Sequence, residues 1–231
     1  MCVIRIIIPF LIFLSIAFRQ PICTKRLTSV FYCDIISFVG KKTFKEKFMK
    51  TRDLTIIPLF TALIIVGAYL KIPTPICPIT LQILFTTLAG VLLGGKKGAA
   101  AVILYIMLGL IGLPVFTGGG GIGYVLSPTF GYMIGFVLGA YITGTIAHSG
   151  EPTMKRLVPA CLTGLFIVFA LGVVYCYLIN RVWLGNSVSV RAVLVAGLLL
   201  PLPGDIVLCF FTAALGCRLI PIMKRMTANS H

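Results

Sequence analysis

TLQILFTTLAGVLLGGKKGAAAVILYIMLGLIGL, residues 80–113, holds two apolar runs on either side of GGKKG. No charge falls within 80–94 or 98–113, so neither run offers the polar face that a helix on a soluble domain turns to water. Each approaches the length, about 17–25 residues, that carries a helix across hydrocarbon. Between them glycine breaks the helix, and Lys96 and Lys97 anchor the turn in water. The stretch reads as a membrane hairpin.

Outward from that hairpin the pattern continues. Apolar segments at 54–70, 128–147, 157–179 and 191–220 bring the expected spans to six. The last is long enough to contain a break at PLPGD, residues 201–205, where Pro201 and Pro203 cannot continue a regular helix. Composition agrees: of 231 residues, 59% are hydrophobic and 11% charged, with a mean hydropathy of +1.10. A soluble domain is roughly a quarter charged, and a disordered chain combines low hydrophobicity with high charge. Both classes are excluded. The expected fold is all-α, a polytopic membrane protein built as a six-transmembrane-helix bundle.

Lys and Arg number 20 against 5 Asp and Glu, a net charge of +15. In a soluble protein that excess would point to nucleic acid; in a membrane protein basic residues fix topology, and no nucleic-acid partner is expected. If the six spans alternate, eight basic residues from Lys25 to Arg52 share one side with Lys96, Lys97, Lys155, Arg156, Arg218, Lys224 and Arg225. The other side holds only Lys71, Arg181 and Arg191. Fifteen against three places both ends of the six-helix unit in the cytoplasm, with the spans in the inner (plasma) membrane.

Residues 1–48 form a separate extension. An apolar run from Ile6 to Phe18, flanked by Arg5 and Arg19, has the length of a signal-peptide core. Cleavage near Cys23 would leave the following basic stretch outside, against the charge rule. The extension is therefore read either as an extra hydrophobic helix or as sequence upstream of a start at Met49. Residues 49–225 make the membrane domain and 226–231 a tail. The eight cysteines include no CxxC pair, and Cys2, Cys161, Cys176, Cys209 and Cys217 lie in apolar stretches as small hydrophobes.

Two loops on the side poor in basic residues lack the charge of an ordinary surface loop. In KIPTPICPITLQ (71–82), Pro73, Pro75 and Pro78 hold the chain extended and withhold amide donors. The segment is either a tight connection or a rigid rim presenting Thr80 and Gln82 to a cavity. LPVFTGGGGIGYVLSPTFGY (113–132) has no charge at all. Its glycines, Gly118, Gly119, Gly120, Gly121 and Gly123, allow close backbone approach to a ligand or movement as a gate. A flexible linker would carry serine and charge beside the glycines; here Phe116, Tyr124, Phe130 and Tyr132 interleave with them. Those rings suit either an apolar ligand or an interfacial aromatic belt. No lysine follows as in a phosphate-binding loop, and no βαβ setting surrounds it.

Asp205 is the only acid inside any of the six spans. A charge at mid-membrane costs about 2.5–3.5 kcal/mol on insertion scales. Such a residue faces a cavity and binds, or caps a helix near an interface. Following PLPG, it stands where a restarted helix would offer a positive dipole end. Enzyme chemistry finds little support: the histidines are His148 and His231, and no HExxH, acidic pair or nucleophile triad is present. No cofactor, metal or catalytic residue is expected.

Three stretches together resemble the BioY family, the biotin-specific substrate-binding (S) components of energy-coupling-factor (ECF) transporters. They are KIPTPICPITLQ, LGLIGLPVFTGGGGIGYVLSPTFGYMIGF (108–136) and LLPLPGDIVLCFFTAALG (199–216). The resemblance covers about residues 50–220 in order. It implies a six-helix unit that takes biotin from outside into an outward-facing cavity and delivers it inward. The implied partners are a transmembrane coupling protein, two ATPase subunits and membrane lipid. It also implies contacts from the Gly118–Gly123 loop, from the segment with Pro128, Thr129 and Tyr132, and from Asp205. One carboxylate can accept both N–H groups of biotin's urea ring.

The chain departs from the family pattern at three places. Leu208 stands where relatives carry lysine, which leaves Asp205 to be met by Arg181 or Arg191, or to stay protonated until ligand binds. Ser127 and Phe130 alter the loop. The docking surface of small residues on the first helix is reduced to Ala62 with Val66, or Leu63 with Gly67. Two rival readings keep the scaffold or the acid: an S component for another vitamin, and an autonomous carrier with Asp205 as its proton site.

Overall fold

The computed structural model describes residues 51–72, 79–185 and 189–228. The 1–48 extension, the rim prolines Pro73, Pro75 and Pro78, and the last residues of the tail lie outside them. Among the described residues, seven α-helices make six passages: α1 (Thr51–Tyr69), α2 (Gln82–Leu93), α3 (Gly95–Leu110), α4 (Phe130–Ala147), α5 (Met154–Leu178), α6 (Val190–Leu194) and α7 (Leu202–Ala228). The architecture is the expected helical membrane bundle.

Length divides the passages into two kinds. The helical stretches Phe130–Ala147, Met154–Trp183 and Val190–Met223 are long and apolar enough to cross a membrane. By contrast α2, with 12 residues, is only about 18 Å long, short of a hydrocarbon core about 30 Å thick. It survives because the bundle encloses it. Ten of its residues are buried, which is the pattern of a helix apolar all round. The lipid-facing apolar surface lies instead on helices such as α5 and α7, where Phe166, Val174, Val207, Phe210 and Phe211 are exposed.

GGKKG does not form the loop expected of it. A single residue, Gly94 with φ 85°, turns the chain, and Gly95 already begins α3. Only glycine adopts that backbone without strain. Lys96 and Lys97 therefore occupy the first turn of α3, Lys96 exposed. The turn is tight because Gly144 of α4 sits against it: a Cβ there would stand 2.4 Å from the Gly95 nitrogen.

Small residues set the helix spacing inside the bundle, as in membrane helix packing generally. Gly131, Gly135 and Gly139 recur every four residues along α4 and face α5; a Cβ on Gly135 would stand 2.8 Å from the Val168 backbone. Gly90 of α2 lies against Ala140 of α4, with 2.6 Å from its would-be Cβ to the Ala140 carbonyl. On α1, Ala62 and Gly67 are buried, and Gly67 packs on Phe85 of α2. These two small residues face into the bundle rather than outward as a docking surface.

The last passage is broken, as PLPGD implies, but over a longer stretch. After α6 comes a π-helical turn, Val195–Leu199, and the chain then turns through Leu200 and Pro201 before α7 begins. A π turn leaves backbone groups off the regular ladder and tends to sit at functional sites. At the same end of the bundle, Lys71–Ile72 (β1) pairs antiparallel with Ile79–Thr80 (β2). The 111–129 loop closes that end.

Candidate functional site

The N-terminal end of α4 and the break before α7 meet around a cavity of about 60 Å³. Thr80 and Gln82 reach it from β2 and α2, Tyr132, Met133 and Phe136 from α4, and Val168 and Phe169 from α5. Gly197, Pro201 and Asp205 supply the wall from the broken passage. Outside it lies a wider depression of about 680 Å³, formed by the 117–129 loop with Trp183 and Leu184. Thr117 and Thr129 line both.

Asp205 is buried, 8% exposed, in the first turn of α7. The helix begins at Leu202, so Asp205 lies beyond the N-cap position from which a carboxylate usually receives amide bonds. Its own N–H donates to the Pro201 carbonyl at 3.0 Å. Among the described residues its carboxylate has no hydrogen-bond or ion-pair partner. Arg181 does not meet it: that guanidinium is exposed and donates to the Tyr177 hydroxyl at 2.8 Å. Leu208 does not line the cavity.

The loop over the cavity is held by several independent ties. Gly121 N–H donates to the Gly109 carbonyl at 2.7 Å. Tyr69 donates to the Pro114 carbonyl, Lys71 to Thr117 and Tyr175 to Val125. Within the loop, the Tyr124 hydroxyl joins Thr117 Oγ1 at 2.9 Å to Thr129 Oγ1 at 3.0 Å. Ser127 adds a contact to Thr129 at 2.9 Å. Since Thr117 and Thr129 belong to both spaces, this hydroxyl chain is the partition between them. Deeper in, Tyr132 donates to the Gly197 carbonyl at 2.9 Å, tying α4 to the π turn.

Of the residues singled out from the sequence, Gln82, Thr129, Tyr132 and Asp205 come together around the inner cavity. Gly118, Gly120, Gly123, Tyr124 and Pro128 line the outer depression. Phe116, Gly119 and Gly121 line neither. Phe116 is a packing residue instead: 2% exposed, it plugs the space over Gly109 between Tyr105 (5.4 Å, edge-on) and Tyr124 (4.5 Å). Gly119 and Gly121 have φ of 123° and 108° and make the loop's turns.

Sequence reasoning did not find Val168 and Phe169, which lie mid-helix in an unbroken apolar run and carry no signal of their own. Thr117 was within reach, as the polar residue directly before the glycine run. Among the described residues, no group of three His, Cys, Asp or Glu is placed to hold a metal. His148 lies at the far end of α4, about 27 Å along the helix from Phe130, its Nε2 2.9 Å from the Val91 carbonyl.

A membrane helix bundle with a cavity at one end, lined by apolar, aromatic and neutral polar side chains around one carboxylate unpaired among the described residues, has the make-up of a substrate-binding transport protein. The comparisons give the particular family. The family model described as BioY family matches residues 41–225. A probable biotin transporter BioY of Lysinibacillus sphaericus is 44% identical over 183 residues, covering 79% of this chain and 93% of that protein. The biotin transporter BioY of Thermotoga maritima is 44% identical over 123 residues, covering 53% of this chain and 72% of that one. Among solved structures, the 2.1 Å crystal structure of the S-component for biotin from an ECF-type ABC transporter matches with a TM-score of 0.54 and 29% identity. That match covers 77% of this chain and 94% of that one. The chain belongs to the BioY family.

Proposed function

We propose that this protein is the biotin-binding subunit of a vitamin transporter: it captures biotin at the outer face of the plasma membrane and delivers it inward. The observation that carries this reading is the buried Asp205 carboxylate, unpaired among the described residues, in a cavity whose other lining is uncharged: apolar and aromatic groups with Gln82 and three threonines. A buried carboxylate is costly until donors arrive. Biotin's urea ring brings two N–H donors side by side, and its thiophane ring and acyl chain match Met133, Phe136, Val168 and Phe169. The hydroxyl partition and the glycine loop would then control passage from the outer depression to the inner cavity.

Transport energy comes, on this reading, from an ECF coupling protein and two ATPase subunits. The chemistry is binding and release rather than catalysis. Residues 49–225 are the working membrane domain, with both its ends cytoplasmic, and 1–48 are given no part in this function. The test is binding of labelled biotin by the purified protein, followed by uptake in cells with and without the ATPase subunits. Saturable binding and ATPase-dependent uptake are expected. Absence of binding, with another vitamin bound instead, would overturn the assignment; uptake that persists without ATPases and collapses with the proton gradient would overturn the coupling.

A further inference from the structure

We propose that the side-chain amide of Gln82 is the donor that reads the carbonyl oxygen of the ligand's urea. It thereby selects a cyclic urea over a ring with a poorer acceptor at that place. The inference rests on the biotin reading and deepens it. Gln82 opens α2 and is only 2% exposed, yet its Nε2 has no hydrogen-bond partner. Among the described residues that condition is shared only by one Arg156 nitrogen. Native proteins rarely leave a buried donor in this state without a function for it. The Tyr105 hydroxyl interacts with the amide, but Nε2 has no partner within hydrogen-bond distance, and of its two N–H donors a single tyrosine oxygen can take one at most.

Gln82 lines the same inner cavity as Asp205. The terminal amide torsion is broad, so the NH2 group is free to turn toward a ligand in the cavity it lines. An ionised carboxylate only accepts and an amide NH2 only donates. The wall from α2 thus offers a donor and the wall from α7 an acceptor. A cyclic urea is the complement of that pair, with N–H groups flanking C=O. An alkyl chain or thioether would leave both walls unmet. A carboxylate could satisfy Gln82 but would be repelled by Asp205. Biotin therefore enters ring first, and its acyl carboxylate is left at the mouth of the cavity.

The test measures affinity of the full-length, detergent-solubilised protein for biotin and for 2-thiobiotin. In the latter sulfur, a weak acceptor, replaces the urea oxygen while both N–H donors remain. Wild-type protein is expected to prefer biotin. Gln82→Leu should weaken biotin roughly ten- to hundredfold and thiobiotin much less, so the preference narrows. Gln82→Glu, which sets an acceptor against the urea oxygen, should weaken biotin further still. If both affinities fall with their ratio unchanged, Gln82 merely supports α2 and Tyr105, and the proposal is overturned. Equal wild-type affinity for the two ligands overturns it without any variant. A wild type that binds neither defeats the biotin assignment itself.

Discussion

Asp205 sets binding against stability within one side chain. Its carboxylate is buried beside Cys209 and unpaired among the described residues, so in the empty protein it is a burden that ligand donors relieve. Replacing it with leucine should therefore act in opposite directions. Each hydrogen bond to a charged group is worth about 1.5–3 kcal/mol, so Asp205→Leu should lower biotin affinity by about a hundredfold or more. Removing an uncompensated buried carboxylate should at the same time raise the apparent melting temperature of the empty protein by a few degrees. Binding assays and thermal unfolding of the same preparations check both. A variant that binds poorly and also melts earlier would assign Asp205 to holding the helix break.

At the scale of elements, the partition loop and the glycine seams make separate predictions. Tyr124→Phe keeps the ring contact with Phe116 but removes the hydroxyl joining Thr117 to Thr129. Each lost hydrogen bond is worth about 0.5–1.5 kcal/mol, so biotin should leave several-fold faster with little change in folding. Stopped-flow release measures this. For the seams, Gly90→Ala drives a Cβ to 2.6 Å from the Ala140 carbonyl, whereas Gly204→Ala meets nothing within 4 Å. The first should destabilise by about 1–3 kcal/mol as overpacking does. The second should be neutral or gain up to about 1 kcal/mol of helix propensity. Detergent-resistant folded yield and unfolding midpoints separate them.

The same elements show what a sequence reader can and cannot see. Passages longer than a bilayer, the break at Pro201 and the isolated acid are legible because each violates a strong rule: charge-free length, proline inside a helix, charge inside oil. The α4 glycine spacing at 131, 135 and 139 is equally legible, yet it is missed when glycines are weighed only as loop formers. Other features leave no local trace. Phe116 resembles a ligand-stacking ring until Gly109 is known to lie beneath it. Val168 and Phe169 line the cavity only because the α4 glycines bring α5 close. That is a property of pairing between helices, invisible in either one alone.

Orientation belongs to the whole molecule, because it needs every loop at once. The described basic residues at the end opposite the cavity include Lys96, Lys97, Lys155 and Arg156, while Lys71, Arg181 and Arg191 lie toward the cavity end. Translocation disfavours Lys and Arg in short loops, so the cavity should open outward. Cysteine placed at Ile122, 79% exposed in the loop over the cavity, and at Lys96 on α3 probes the two ends in a background stripped of native cysteines. A membrane-impermeant maleimide should label position 122 in intact cells and position 96 only after permeabilisation. Biotin added beforehand should slow labelling at 122 if the loop closes over its ligand. The reverse pattern would turn the cavity toward the cytoplasm. Asp205 and Gln82 would then face the compartment into which biotin is meant to be delivered, and capture from outside would be untenable.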